Sequence, residues 1–425
     1  MIAVTTDDRF MSSTGSKLLP HLPWAAAAEL VRYEAVLAEV LRLSPRYRRE
    51  LPRAVAELSA RLTLWRGKLT SDYLQSPAAQ TAYLSYFLPW NLLRLTTLLS
   101  GLTAAGFDPL PMFSTDEAKG PPLLLDLGAG PLTLTQALWI ARPDLRERSL
   151  MIVAVDRSRR ILQMGIDLFR RLTGSGLKYE GPWRIVIIPA TLEQSLVSLR
   201  GRPDLLVMAN VLNELPWSRR EPLDDQVARL LGRLMGRMGW RGEGEGRGRL
   251  LLVEPGNRLG GKLLAIFRQA GLGRDFVPLA PCTHVAACPF LSRLASSWCH
   301  FTFPVQDAPD WLLSLSECSG LTKDRAAVSF LLLAQTKVVG PAAGVGRARI
   351  LSESFVVIGP DGKPSRGRYA CGVEGVLLLL DGAFDIDGVV VHDDLLRPGG
   401  VVGYWADAAG RRDAKSGALY AMTYR

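Results

Sequence analysis

The sequence predicts an α/β protein with a doubly wound parallel sheet, preceded by helices and followed by a small β module. Two observations lead to this prediction. From residue 122 onward, apolar segments of strand length alternate with amphipathic segments of helix length. The first apolar segment belongs to LLLDLGAGPLTL at Leu123–Leu134, where a buried strand continues into a Gly-x-Gly turn and a helix.

Five strands with intervening helices are predicted in the central part of the chain. The predicted strands are Leu123–Leu127, Met151–Val155, Arg184–Ile188, Leu205–Ala209 and Leu250–Val253. The predicted helices are Leu132–Ala141, Ser158–Leu172, Asp224–Met238 and Lys262–Gln269. The apolar segments His300–Val305 and Val328–Thr336 are interpreted as the last strands of the same sheet. Helical crossovers of this kind are the connections that parallel strands need.

The region before residue 118 is predicted to be helical. Apolar residues at helical spacing predict helices at Trp24–Leu43 and Arg53–Leu64. Ser76-Pro77 is typical of a helix start. We expect Pro89 to interrupt that helix and a further helix to run from Asn91 to Thr103.

The chain is accordingly divided into three predicted domains. Residues 1–118 form the helical domain, and 119–338 form the α/β domain, which includes a cysteine region at 278–300. Residues 345–425 form the β module, because short apolar segments there alternate with turn signals. Its predicted segments are Ala348–Ile358, the turn Pro360–Lys363, Gly375–Leu380, Gly388–Val391 and Gly400–Trp405.

Charge and hydropathy limit the partners and the compartment. The 425 residues carry a formal net charge of +10, which favours an acidic partner such as RNA. No apolar run approaches the roughly 20 residues that span a bilayer. The N-terminus lacks the basic and apolar regions of a signal peptide. We therefore expect a cytoplasmic protein without a membrane partner; the sequence does not specify its oligomeric state.

Acidic residues end the first two predicted strands and indicate a nucleotide-type site. Asp126 directly precedes the turn that contains Gly128 and Gly130, where a missing Cβ allows close approach of a ligand. Asp156 ends the second strand, the position from which a carboxylate accepts both hydroxyls of a ribose. NAD, FAD and S-adenosylmethionine all remain compatible with these features.

Three details favour S-adenosylmethionine over a dinucleotide. Asp126 is placed to meet the ammonium group of a methionine moiety. Thr133 occupies the third glycine position of G-x-G-x-x-G, where a pyrophosphate needs close helix packing. Asn210 ends the fourth strand at the open edge of the predicted cleft. We predict that Asn210 lines the methyl-transfer edge.

The five cysteines all follow residue 281 and are bunched rather than scattered. Cys282, Cys288 and Cys299 lie within nineteen residues that also contain His284 and His300. Converging thiolates suit zinc or an iron–sulfur cluster, and the spacing matches neither a zinc ribbon nor the ferredoxin run. Zinc, a [4Fe-4S] cluster and simple packing of small apolar residues therefore remain open. Cys371 lies in the C-terminal module, and Cys318 is expected in the core.

A rival interpretation makes one of these cysteines a nucleophile. Ala280–Thr283 reads A-P-C-T, a motif that resembles the nucleophilic cysteine of cytosine-C5 RNA methyltransferases. That motif should follow the fourth strand, whereas Cys282 comes after the fifth predicted strand.

These segments together resemble the methyltransferase-like small-ribosomal-subunit assembly proteins, the family that includes the mitochondrial methyltransferase-like protein seventeen and its yeast counterpart. The resemblance is carried by LLLDLGAGPLT, VAVDRS, DLLVMANVLNELP, LLVEPGNRLGG, PCTHVAACPF and WCHF. It implies a Rossmann-type class I SAM-methyltransferase core with a helical N-terminal extension and a C-terminal β part. It also implies a [4Fe-4S] cluster and association with small-subunit rRNA or a ribosome-assembly intermediate.

On this sequence the implied cluster ligands are Cys282, Cys288 and Cys299, with Cys371 as the fourth and Cys318 as its alternative. The glycine turn of the family reads G-A-G-P-G-T, whereas Leu132 stands here in place of the glycine. A leucine at that position either narrows the methionine end of the cleft or packs against the strand.

Two functions follow from the resemblance. The first is a SAM-dependent rRNA methyltransferase in ribosome assembly and translation, which uses Asp126, Gly128, Gly130, Asp156 and Asn210 to hold the cofactor. The alternative is a non-catalytic rRNA-binding assembly factor with a vestigial site and a structural cluster or zinc. No N-P-P-Y-type tetrapeptide is present to decide for catalysis.

Overall fold

A computed structural model describes most of the chain. The described residues are 18–63, 74, 76–110, 120–175, 179–199, 201–238, 248–274, 276–292, 297–335, 346–380 and 396–424. The N-terminal segment, the predicted linkers around residues 111–119 and 336–345, and the predicted strand Gly388–Val391 lie outside these ranges. Among the described residues, no helix combines the length and apolarity needed to cross a membrane.

The central sheet has eight strands in the order β3-β2-β1-β4-β5-β8-β6, with β7 paired to β8. The strands are β1 Leu123–Leu127, β2 Leu150–Asp156, β3 Trp183–Pro189, β4 Leu205–Ala209, β5 Arg249–Pro255, β6 Phe276–Ala280, β7 Phe301–Pro304 and β8 Arg325–Gln335. β1 to β5 pair in parallel, whereas β8 runs antiparallel to β5, β6 and β7. Parallel strands joined by helical crossovers confirm the predicted doubly wound α/β fold class.

Helices cover both faces of this sheet. They are α5 Thr133–Ala141, α6 Arg159–Leu172, α7 Leu192–Ser198, α8 Leu223–Met235, α9 Arg258–Leu272 and α10 Asp310–Cys318. Alternate residues of the strands enter two separate apolar clusters. For example, Leu251 belongs to the cluster under α5, whereas Leu252 belongs to the cluster under α8 and α9. Burial on both faces explains why these strands read as continuous apolar runs.

The N-terminal helices share the apolar cluster on the α5 side of the sheet. They are α1 Trp24–Leu41, α2 Pro45–Thr63, α3 Pro77–Ala82 and α4 Leu88–Ala104. Ser76 caps α3 as predicted, because its side chain accepts a hydrogen bond from the Ala79 N–H. The predicted interruption at Pro89 was wrong. A π-helical turn at Tyr83–Phe87 joins α3 to α4, so the missing N–H of Pro89 falls where the hydrogen-bond register already changes.

The C-terminal module is a small closed sheet. Its strands are β9 Arg347–Ile350, β10 Phe355–Ile358, β11 Pro364–Gly372, β12 Gly375–Leu380, β13 Val401–Ala406 and β14 Leu419–Tyr424. β9 pairs with both β11 and β13, which closes the ring, and β10 extends from β11. The predicted turn Pro360–Lys363 lies in the connection between β10 and β11. The predicted segment Ala348–Ile358 is two strands rather than one.

Candidate cofactor cleft and cysteine centre

The glycine turn between β1 and α5 is held against β2 by backbone hydrogen bonds. The N–H groups of Gly128 and Ala129 both donate to the Val155 carbonyl, at 2.8 and 2.9 Å. Gly128 and Gly130 have positive φ values of 78° and 53°. A Cβ at Gly128 would lie 2.3 Å from a methyl carbon of Val211, whereas at Gly130 no atom lies within 4 Å. The glycines therefore serve different needs: the first permits internal packing, and the second borders open space.

Leu132 takes the left-handed conformation that a glycine normally supplies. Its φ is 58°, and its side chain is fully buried in a small cluster with Ala129, Ala154 and Leu162. Gly165 of α6 makes this possible, because a Cβ there would lie 2.8 Å from Leu132 Cγ. Of the two alternatives for Leu132, the structure supports packing against the strand.

Asp156 connects the end of β2 to the glycine turn. Its Oδ2 accepts a hydrogen bond from the Gly130 N–H at 3.1 Å, and its Oδ1 accepts one from the Ser158 N–H at 2.8 Å. Burial raises the pKa of this carboxyl group, and the two backbone donors oppose the rise. Asp156 thus lies at the strand end where the sequence predicts ribose recognition.

Asp126 is buried near the end of β1, and one of its carboxyl oxygens lacks a partner. The residue is 1 % exposed, and its Oδ2 has no hydrogen-bond partner among the described residues. Burial raises its pKa to about 8, and the nearby charge of Asp156 contributes to the rise. An unpaired, buried carboxyl oxygen is costly in a folded chain, and a cationic ligand at the turn would supply the missing partner.

The loop after β4 is fixed by a buried acid that the sequence interpretation missed. Glu254, at the end of β5, is 0 % exposed and accepts a hydrogen bond from the Leu212 N–H at 2.8 Å. The Asn213 amide donates to the other oxygen of Glu254. Burial raises the pKa of Glu254 to about 7, and the Asn213 hydrogen bond opposes this. The Asn213 side chain therefore helps to hold the loop against β5. Asn210, with φ 61°, stands at the end of β4, and its N–H donates to the Val253 carbonyl at 2.7 Å.

The π-helical turn of the N-terminal region lies over the same edge of the sheet. Burial raises the pKa of the Tyr83 phenol, with further contributions from the charges of Glu214 and Asp156. Tyr83 is therefore close to the ends of both β2 and β4. No pattern in the sequence indicates this proximity, since it joins distant segments of the chain.

Four of the five cysteines come together. Burial raises the pKa of the Cys299 thiol, and the charges of Cys282, Cys371 and Cys288 contribute in that order. The Cys371 thiol likewise responds to Cys282 and Cys288. Cys371 lies on β11, so the cluster joins the loop region after β6 to the C-terminal module. Among the described residues, no group of three or more His, Cys, Asp and Glu residues is arranged to hold a metal ion.

Two buried arginines face these thiols. Arg268 of α9 is 2 % exposed, and its Nε donates to Cys282 Sγ at 3.1 Å, while its Nη1 is buried without a partner. Arg349 of β9 donates to the carbonyls of Pro281 and Gly399 at 2.7 Å. Burial lowers the pKa of Arg349 to about 10, and the thiols of Cys282, Cys299 and Cys371 oppose that shift.

The two histidines of the region have different neighbours, a thiol for His284 and an indole ring for His300. His284 Nε2 lies 3.5 Å from Cys371 Sγ. Burial lowers the pKa of His284 to about 4, and Arg268 contributes to this. His300 stacks on Trp298 instead.

Cys318 does not belong to the cluster. It is exposed at the end of α10, so the expectation that it lies in the core was wrong. The apolar residues of α10 turn inward through Leu312, and Cys318 falls on the opposite, solvent-facing side of this short helix. The chain also contains a strand that the sequence analysis did not predict, because β6 lies between β5 and Cys282.

Residues 114–319 match the family model described as mitochondrial small ribosomal subunit Rsm22. This match confirms the predicted resemblance to that family. The Rsm22 match contains Asp126, Asp156, Asn210 and the first three cysteines of the cluster, and it ends before Cys371. No protein of curated function matches the chain.

Solved structures similar to this chain include several methyltransferases at low identity. A precorrin-6Y C5,15-methyltransferase from Geobacter metallireducens is 10 % identical, with 54 % of this chain and 84 % of that chain covered and a TM-score of 0.30. A putative class I S-adenosylmethionine-dependent methyltransferase from Listeria monocytogenes is 14 % identical, with 75 % and 91 % covered and a TM-score of 0.30. A SAM-dependent methyltransferase from Archaeoglobus fulgidus is 12 % identical, with 51 % and 87 % covered and a TM-score of 0.26.

Proposed function

We propose that this protein is a SAM-dependent methyltransferase that acts on small-subunit rRNA during ribosome assembly. The family description supports the ribosomal partner, and the net charge of +10 suits binding to RNA. The observation that carries the cofactor assignment is the unpaired, buried oxygen of Asp126 beneath the glycine turn.

The residues of the cleft fit S-adenosylmethionine. Asp126 would receive the positively charged methionine end, and Gly130 would allow the backbone to approach the ligand. Asp156 would accept the ribose hydroxyls while its backbone contacts keep the turn in place. Asn210 would line the transfer edge, since Asn213 is committed to Glu254. When bound, the cofactor supplies an electrophilic methyl group, and the protein's contribution is to position the RNA nucleophile.

Calorimetry with S-adenosylmethionine tests this assignment. We expect the wild-type protein to bind, and both Asp126→Asn and Asp156→Ala to weaken binding at least tenfold, since a charge-assisted contact contributes roughly 1.5 to 3 kcal/mol. Asp225→Asn, at an exposed position of α8, is the matched control and should bind like wild type. Absence of binding by the wild-type protein would remove the enzyme assignment.

We also propose that Cys282, Cys288, Cys299 and Cys371 hold a [4Fe-4S] cluster. Burial and the charges of neighbouring thiols raise the pKa values of Cys288, Cys299 and Cys371, and the four thiols together supply the donor set that such a cluster needs. The buried arginines Arg268 and Arg349 suit a centre whose four thiolates bring negative charge into the interior. When bound, the cluster would link the segment after β6 to the C-terminal module through iron–thiolate bonds.

Anaerobic purification with metal analysis tests the cluster. We expect a brown protein with about four irons per chain. Cys371→Ser should lower the iron content, and Cys318→Ser, at the exposed cysteine outside the group, should leave it unchanged. A colourless protein with one zinc per chain would replace the cluster by zinc.

The alternative of a non-catalytic assembly factor is favoured by one observation: Asn213, one of the two asparagines after β4, is buried and its amide donates to Glu254. In that case RNA binding would survive Asp156→Ala and weaken in Cys299→Ser. Methyl transfer to small-subunit rRNA by the wild-type protein, measured with labelled S-adenosylmethionine, would decide for the enzyme.

A further inference from the structure

A pair of basic side chains lies where the N-terminal helices meet the start of β8. The Lys323 ammonium donates a hydrogen bond to the Tyr86 hydroxyl at 2.5 Å. It also lies 4.7 Å from the centre of the Tyr86 ring and 5.0 Å from that of Trp90. Both aromatic residues are 1 % exposed. The ammonium is thus drawn against two buried rings, which stabilise a cation but do not neutralise it.

Arg94 of α4 is the second cation of this pair. Its Nη1 donates to Asn91 Oδ1 at 2.8 Å, and its Nε is buried without a partner. Burial lowers the pKa of Arg94 to about 10 and that of Lys323 to about 8, and Arg94 contributes to the shift of Lys323. Within the described part of the chain, no carboxylate pairs with either side chain. Two cations near each other without an acid are costly unless an anion joins them.

The pair lies beyond the sheet edge that carries the cofactor cleft. β8 begins beside the end of β5, where Val328 pairs with Pro255, and Lys323 precedes β8. On the helical side, Tyr86 follows Tyr83 by three residues within the same π-helical turn. Tyr83 is close to Asp156 and Glu214. One helical turn therefore connects the cleft to the basic pair.

We infer that Arg94 and Lys323 bind a phosphate group of the RNA substrate and hold the strand across the edge of the cleft. Both residues are half-buried as a whole, although the Arg94 Nε is enclosed, so a phosphate would approach from their exposed side. The arginine offers a planar set of donors and the lysine a point charge, a combination that suits phosphate oxygens. This inference rests on the proposed function, which supplies RNA as the substrate.

Protection of Lys323 from acylation tests the inference on the wild-type protein. The protein is treated with an amine-reactive ester at pH 8, alone, with inorganic phosphate, or with a short single-stranded RNA, and modification is read by mass spectrometry. We expect RNA at about ten times its Kd to slow acylation of Lys323 about tenfold, because only the free fraction reacts. Lys363, exposed in the turn between β10 and β11, is the internal control and should react equally under all three conditions.

Substitutions give a second, independent measurement. Lys323→Gln and Arg94→Gln should each weaken RNA binding and lower the slope of log Kd against log salt concentration by about 1, since each removes one phosphate contact. Lys363→Gln should leave that slope unchanged. Lys323→Met preserves contact with the aromatic rings and should reproduce the loss seen with Lys323→Gln if charge is responsible.

The outcomes separate this inference from the proposed function. Protection by RNA in a protein that fails to bind S-adenosylmethionine would support the phosphate site and reject the methyltransferase. RNA binding that leaves Lys323 fully reactive, with an unchanged salt slope in Lys323→Gln, would overturn the site. Protection by inorganic phosphate but not by RNA would overturn the assignment to RNA.

Discussion

Gly165 of α6 lies directly against Leu132 at the start of α5. A Cβ at position 165 would come within 2.5 Å of the Pro131 carbonyl carbon and 2.8 Å of Leu132 Cγ. The two positions are complementary, because the leucine fills the space that the missing side chain leaves. The glycine turn therefore depends on a residue some thirty positions further along the chain.

Gly165→Ala should destabilise the protein by about 1 to 3 kcal/mol, the usual cost of forcing extra atoms into a packed interior. Urea unfolding measures the loss. Gly232→Ala is the matched control, because Gly232 is exposed in α8 with no atom within 4 Å of the added Cβ. That substitution should stabilise the protein by up to about 1 kcal/mol through helix propensity. Equal effects at the two positions would contradict the packing argument.

Leu132→Gly should also destabilise the protein, although glycine suits the backbone better. Relief of the left-handed conformation gains about 1 to 2 kcal/mol. Loss of a fully buried leucine side chain costs about 3 to 5 kcal/mol, so the loss is larger. The affinity for S-adenosylmethionine should change little, because Leu132 packs between β2 and α6. Calorimetry and urea unfolding of the same variant test both statements, and a gain in stability would show that strain outweighs packing.

Asp126→Asn should stabilise the ligand-free protein, and the gain should grow with pH. An unfolded aspartic acid loses its proton near pH 4, whereas burial holds the pKa of Asp126 at about 8. Between these values the folded state binds the additional proton, so the stability of wild type falls as pH rises. The asparagine cannot ionise and escapes that loss. Urea unfolding at pH 5 and pH 8 measures the difference, with Asp225→Asn as control; a gain independent of pH would argue against a buried, ionisable Asp126.

The sequence predicted the strands that are apolar along their whole length. It did not predict elements whose formation depends on contacts with distant parts of the chain. β1 and β4 were predicted at their observed bounds because all their residues except Asp126 are apolar. β6 was missed because Pro278 interrupts its pattern, yet β6 ends the strand order, where an edge strand tolerates a missing N–H. β11 was missed because its sequence is largely polar and contains no apolar run.

The site residues were likewise predicted only in part. Asp126 and Asp156 were placed by their positions at strand ends. Glu254 and Tyr83 were missed because their partners lie tens of residues away in the sequence. The one available signal for Glu254 was an acid directly after the fully apolar run of β5.

Glu254→Ala should destabilise the protein by about 2 to 4 kcal/mol. The alanine leaves the Leu212 N–H and the Asn213 amide without an acceptor, and each buried unpaired donor costs about 1 to 3 kcal/mol. Glu254→Gln keeps one acceptor oxygen and should cost less. Glu221→Ala, at an exposed glutamate, should have little effect. In urea unfolding we expect the free energy of unfolding to be lowest for Glu254→Ala, intermediate for Glu254→Gln and highest for wild type. Equal stabilities of the two Glu254 variants would contradict this expectation.

Tyr33→Phe should weaken both the fold and the glycine turn, through a relay that crosses from α1 to the cleft. The Tyr33 hydroxyl donates to Gln136 Oε1 at 2.6 Å, and Gln136 Nε2 donates to the Pro131 carbonyl at 2.7 Å. Tyr33 and Gln136 are both fully buried. Removal of the hydroxyl leaves the amide oxygen unpaired, which costs about 1 to 3 kcal/mol.

A double-mutant cycle isolates this contact. In a Gln136→Met background the acceptor is already absent, so Tyr33→Phe should then cost less, and the difference gives the coupling energy. Tyr47→Phe, at an exposed tyrosine of α2, is the control and should leave stability unchanged. If the relay positions the turn, Tyr33→Phe should also lower the affinity for S-adenosylmethionine in calorimetry. Additive effects of the two substitutions would mean that the N-terminal helices support the sheet by apolar packing alone.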